Sequence, residues 1–258
     1  MKKILAASIV LVCMVGVGCQ NQSKESTGPQ PADPTGATAT TGSADQSAPA
    51  PAVSQNLQND AYHYRGLNRR DSTTYAVTTV APGATAPKED SGGEVVKFLG
   101  MENGRAKFSI ERTGAMESLF GSDEVLLDDQ GITIQSSDSG ELTGNPIDLI
   151  AKLTPGTTWK TDYSVKLKKS DLLPDGGVSE DHSVFKVVGP QKVKTKAGTF
   201  DAILVESQGN DTLNNQKLSL KTQSWYAKDR GAVKIVVTTS AAGRSETITI
   251  EATPGDSK

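Results

Sequence analysis

From Trp159 to Leu167 the chain alternates strictly: Trp159, Thr161, Tyr163, Val165 and Leu167 fall on one side, and Lys160, Asp162, Ser164, Lys166 and Lys168 on the other. A period of two with one dry face and one wet face predicts a half-buried antiparallel strand. The same period recurs in Ala106/Phe108/Ile110, Val233/Ile235/Val237 and Ile248/Ile250/Ala252. Short polar segments suited to positive φ separate such runs: Glu102-Asn103-Gly104, Asp128 to Gly131, Pro174 to Gly177, Gly209-Asn210-Asp211 and Ala242-Gly243. About a dozen strands joined in chain order make a meander. The predicted fold class is therefore all-β, an antiparallel meander forming a strongly curved sheet or incomplete barrel, because a one-sided sheet must curl to hide its dry face. A closed barrel and a two-layer sandwich are the alternatives. One short helix is predicted over Pro146 to Leu153, with Asn145 as N-cap. Residues 82–93, polar and glycine-rich, are predicted to be a long loop between the second and third strands.

The N-terminus is of another kind. Met1-Lys2-Lys3 followed by the uncharged run Ile4 to Val17 is a secretory leader, too short and too glycine-broken near its end to span a bilayer. Its tail, Val15-Gly16-Val17-Gly18-Cys19, resembles the lipobox of bacterial lipoproteins, with Gly16 in place of the preferred leucine. The resemblance implies cleavage before Cys19 and acylation of Cys19, which fixes the mature N-terminus at a membrane surface. Cleavage removes Cys13, so the mature chain has one cysteine and cannot form an internal disulfide. Gln20, where inner-membrane retention signals place aspartate, favours the outer membrane in a diderm cell. From Gln20 to about Asp60 the sequence is Ser, Thr, Pro, Ala, Gln and Gly with only Val53 and Leu57 as larger aliphatics, a composition that predicts a disordered tether. This lowers the overall hydrophobic content, which is 35% without glycine. The expected organisation is leader 1–18, lipidated cysteine and tether 19–59, one β-rich domain 60–253, and a flexible terminus 254–258.

Two later stretches carry a second resemblance. Lys196-Ala197-Gly198-Thr199-Phe200 opens a strand, and Trp225-Tyr226-Ala227 followed by Arg230-Gly231-Ala232-Val233-Lys234 lies downstream. With Thr154-Pro155-Gly156-Thr157-Thr158-Trp159 and Ser72 to Val77 upstream, the order and spacing are similar to those of an uncharacterised family of bacterial secreted proteins and lipoproteins, patterned "PAGTF" and "WYA.GVGLVK". Lys196, Arg230 and Ala232 depart from that pattern, and the first motif lacks its tryptophan. The resemblance implies a curved antiparallel sheet or half-barrel, and it brings no catalytic residues.

Chemistry is sparse. A net charge of −3 excludes the usual basic footprint for nucleic acid. His63 and His182 lack metal-ligand spacing, no Gly-x-Ser-x-Gly elbow or phosphate loop occurs, and the acidic turns at 128–131 and 138–141 lack the calcium-loop register. No metal, cofactor or enzymatic activity is expected. Trp159, Phe200 and Trp225 are candidates for a concave wall that binds a lipid, glycan or protein segment, although core packing is the commoner role of such aromatics. Lys192, Lys194 and Lys196 share one strand face, as a charged edge or an anionic-lipid contact would. The expected function is a lipid-anchored envelope protein acting as a non-enzymatic binding or assembly module. The alternatives are a structural interaction protein with a packed interior and a cell-wall or polysaccharide hydrolase, which would need two converging carboxylates.

Overall fold

The structure is a computed structural model that describes residues 53–69, 71–169, 175–214 and 216–254. Cys19, the leader and most of the tether lie outside the described residues. Thirteen strands are described: β1 (Thr73–Val80), β2 (Lys88–Glu102), β3 (Arg105–Gly114), β4 (Asp123–Leu127), β5 (Gly131–Ser137), β6 (Gly140–Asn145), β7 (Ile147–Ile150), β8 (Thr158–Leu167), β9 (Gly177–Thr195), β10 (Gly198–Leu213), β11 (Gln216–Ala227), β12 (Gly231–Ala241) and β13 (Arg244–Ala252). Two short α-helices, α1 (Asp60–Tyr64) and α2 (Ala115–Phe120), and a 3-10 turn at Gln55–Leu57 complete the described fold.

The meander is as expected, but it closes. The strand order runs β4-β3-β2-β1-β13-β12-β11-β10-β9-β8-β6-β5, and β5 then pairs with β4, so twelve strands form a ring. The expected half-barrel is thus corrected to a closed barrel. Val125 opposite Ile134 and Leu127 opposite Ile132 make the closing contact, which removes the two edges an incomplete barrel would expose. The outer faces carry ion pairs such as Lys97–Glu111 and Lys192–Asp201, unlike the apolar band of a membrane-spanning barrel.

Three local expectations also fail. Residues 147–150 are β7, paired antiparallel with β5: Leu149 lies opposite Ile132 and is fully buried, a gain that outweighs the local helix-start signal at Asn145-Pro146. Residues 88–93 are not loop; they pair with β1 from Thr79↔Lys88 to Thr74↔Gly93, since backbone pairing needs no apolar side chain. Gly209 to Asp211 is no turn either. It continues β10, opposite Leu220 to Leu218 of β11, and the hairpin reverses beyond Leu213. The tight turns at Asn103-Gly104 and Ala242-Gly243 do form, with positive φ at all four residues.

The segment 53–69 plugs one end of the ring. Asn59 caps α1 by accepting from Tyr62 N (3.1 Å) and donates to Asp128 O (2.9 Å), while Asp60 accepts from Leu153 N (2.9 Å). Val53, Leu57, Ala61, Tyr62 and Leu67 pack with Phe108, Leu127 and Val205 in one core cluster. Val53 and Leu57 were the two aliphatics of the expected tether, and here both are buried. The plug meets the β11–β12 turn closely. A Cβ on Gly66 would come within 2.7 Å of Gly231 N, and one on Gly231 within 2.6 Å of Arg69 Nη1, so neither position has room for a side chain. At the opposite end α2 packs over β1, β2 and β3, with Met116 and Leu119 joining a second cluster around Tyr75, Val237 and Ile250.

Candidate functional site

Between plug and α2 the barrel encloses a cavity of about 240 Å³. Its lining is mixed: Ile110, Leu142, Val165 and Leu220 contribute apolar surface, and charged side chains occupy two opposing regions.

The first region is built from the plug and strands β2 to β4. Glu94 on β2 accepts a bidentate pair from Arg65 (3.0 and 3.2 Å), a hydrogen bond from Arg112 Nε (3.0 Å), and another from Arg69 Nη2. Arg65 also reaches Asp148 (3.0 Å), and Arg112 reaches Asp123 and Gly121 O (both 2.7 Å) while lying over the Phe120 ring. Three guanidiniums thus face three carboxylates. Burial alone would raise the Glu94 pKa, but Arg65, Arg112 and Arg69 together hold it well below the usual carboxylate range. Fully buried charges persist only when paired in this way.

The second region lies on β8, β9 and β10, where Asp181 faces inward beside Tyr163, Thr161 and Ser183. Thr161 Oγ1 donates to Asp181 (3.0 Å). Asp211 on β10, only 2% exposed, is buried nearby without lining the cavity, and its Oδ1 has no hydrogen-bond partner. Among the described residues neither aspartate forms an ion pair with a Lys or Arg. Burial raises the Asp181 pKa, with Ser183 and Thr161 opposing. Burial and the neighbouring Asp181 push Asp211 up to about 7. The Tyr163 phenol is likewise raised by burial and by both carboxylates.

The residues singled out in the sequence stand elsewhere. Trp159 is 8% exposed and stacks on Phe185 (5.0 Å between centroids, 13° between planes) within the plug-end core. Phe200 and Trp225 are half-buried against the second cluster, and Trp225 Nε1 donates to Gln191 Oε1 (3.1 Å). The three aromatics are not brought together, and none lines the cavity. Tyr226, the other half of the Trp-Tyr pair, does line it. His63 pairs with Asp229 (2.6 Å) at the plug's outer side, and His182 with Asp162 (3.1 Å) on the outer face. Lys192, Lys194 and Lys196 are exposed, with Val193 and Thr195 buried between them. Among the described residues no group of His, Cys, Asp and Glu side chains is arranged to hold a metal ion.

Sequence reading missed the charged interior. Its one signal is on β9, where Ser179, Asp181, Ser183 and Phe185 share a face while Val178, Val184 and Val188 point outward and are exposed. Nothing local links Arg65 to Glu94.

No protein-family model matches this chain, and no curated protein matches it. Solved structures similar to it include a protein from Bacteroides fragilis described as exported, with a YmcC-like fold (13% identity, TM-score 0.45, 70% of this chain and 93% of that one). Another, described as a lipoprotein, is from Parabacteroides distasonis (11%, 0.46, 71% and 94%). A third is the hypothetical lipoprotein YmcC from Escherichia coli (9%, 0.36, 71% and 87%).

Proposed function

We propose that this chain is an extracytoplasmic, lipid-anchored binding module whose ligand site is the barrel interior, acting without turnover. The leader and Cys19 support the location, and the polar run between Cys19 and the plug supports a tethered module held off the bilayer. The single observation that carries the binding role is the cavity of about 240 Å³ with ionisable side chains on its wall. A barrel serving only as scaffold fills its interior with side chains. This one leaves a space and lines it with groups that bind polar matter. The volume is below the ~300 Å³ at which typical drug-sized sites begin, so it suits a small molecule or the head of a larger one.

Native mass spectrometry of the mature protein, extracted from membranes in mild detergent, tests the role. The expected result is a discrete small adduct that is lost on denaturation. A single clean protein mass, together with no shift in unfolding temperature across a small-metabolite panel, would contradict it. The anchor is tested separately: Cys19→Ala should move the protein from the membrane pellet to the soluble fraction.

A further inference from the structure

The wall of the cavity made by β8 to β11 is polar where a protein interior is ordinarily apolar. Tyr163 on β8, Asp181 and Ser183 on β9, Ser207 on β10, and Thr222 and Ser224 on β11 all line it. Strand pairing sets their spacing. Tyr163 lies directly opposite Asp181, and Ser207 directly opposite both Phe185 and Thr222, so these side chains stand on adjoining strands at intervals of about 5 Å. Part of their hydrogen-bonding capacity is spent within the barrel: Ser183 and Thr161 serve Asp181, and Ser224 serves Tyr226. The rest is not. Among the described residues the hydroxyls of Tyr163, Ser207 and Thr222 have no hydrogen-bond partner, and all three residues keep part of their surface accessible although they line the interior. They open onto the cavity space.

We infer that this wall receives one neutral polyhydroxylated ring, a monosaccharide or cyclitol unit, with Asp181, Tyr163, Ser207 and Thr222 bonding its hydroxyls and Phe185 and Leu220 against its carbon framework. The inference rests on the binding role proposed above. Ligand hydroxyls both donate and accept, which matches a wall of hydroxyls that do the same and a carboxyl that accepts. An apolar ligand would strip water from Tyr163, Ser207 and Thr222 and return no partner. An anion finds no free cation, because Arg65 and Arg112 are held by Glu94, Asp123 and Asp148. A cation would meet Asp181 alone, already bonded by Thr161 and Ser183 and raised in pKa by burial. A volume of about 240 Å³ suits a single ring and not a chain of them. The same chemistry exists in a free sugar and in the terminal unit of a glycan or glycolipid.

The test is a ligand-detected NMR titration of the full mature protein in phosphatidylcholine nanodiscs, with glucose, galactose, N-acetylglucosamine, myo-inositol, the methyl glycosides of the three sugars, and cyclohexanol as a ring with one hydroxyl. At least one polyol is expected to bind saturably and at least tenfold more tightly than cyclohexanol. Its affinity should fall at least threefold in Tyr163→Phe and at least tenfold in the double variant Ser207→Ala/Thr222→Val. These substitutions remove hydroxyls with no protein partner, so the variants should fold, which circular dichroism checks. A methyl glycoside binding as tightly as its free sugar would identify the end of a glycan; exclusion of the glycosides, or binding of myo-inositol alone, would identify a free polyol. No saturable binding by any polyol, cyclohexanol binding as tightly, or affinity unchanged in both variants would overturn the assignment. A co-purifying adduct whose mass is not that of a polyol would then leave the binding role standing, whereas a clean protein mass would remove both.

Discussion

The two groups of buried carboxylates in the barrel are made of the same material and solve opposite problems. Around Glu94 each carboxylate meets a guanidinium, and the network ties the plug to β2, β3 and β7. Asp181 and Asp211 have no Lys or Arg partner among the described residues; Asp181 is met by Ser183, Thr161 and the nearby His182, and it raises Asp211 in turn. The cost of burying charge falls steeply once it is paired and rises when it is not. The first group therefore holds the structure together, and the second strains it.

The largest effect expected from this contrast is on the paired group. Glu94→Gln leaves three buried arginines short of their shared partner and should cost about 3–5 kcal/mol in urea unfolding at pH 7, because the loss is of compensation and not of one contact. A cost below about 1 kcal/mol would mean that the network is not what fixes the plug. In the other group the sign reverses. Asp211 titrates near 4 in the unfolded chain but near 7 in the folded protein, so stability falls as pH rises through that window and stays reduced above it. Asp211→Asn should therefore stabilise the ligand-free protein at pH 8 by about 2–4 kcal/mol and change little near pH 4. Burial sets this shift first, and the neighbouring Asp181 adds to it. The smallest change is Thr161→Val, which removes the hydroxyl from Asp181 and should cost about 1–2 kcal/mol at pH 8.

The contrast also marks what could be read from the chain. Strand 159–167, the Asn103-Gly104 and Ala242-Gly243 turns and the Gly198 hairpin follow from local pattern, because alternation and positive φ are written in neighbouring residues. Closure is not local: it depends on β4 meeting β5, which any two compatible strands could do or fail to do. The helices α1 and α2 have five and six residues, too few to show a helical period. Pro146 to Leu153 carried a helix-start signal that pairing with β5 overrode. The site was hardest to see because it breaks the rule that made the strands visible. Placing apolar residues inside would turn Val178 and Val184 inward and Asp181 outward, and Asp211 reads as part of a turn. Such violations concentrate where a fold serves something besides its own stability.

The central claim is that one barrel holds a compensated and an uncompensated set of buried carboxylates. Carboxyl-carbon NMR titration of the intact ligand-free protein, with Glu94 and Asp211 assigned by their Gln and Asn variants, tests it most directly. The account predicts that Glu94 stays ionised through the acid range down to unfolding, while Asp211 titrates near neutrality. Both groups titrating together near 4 would contradict it.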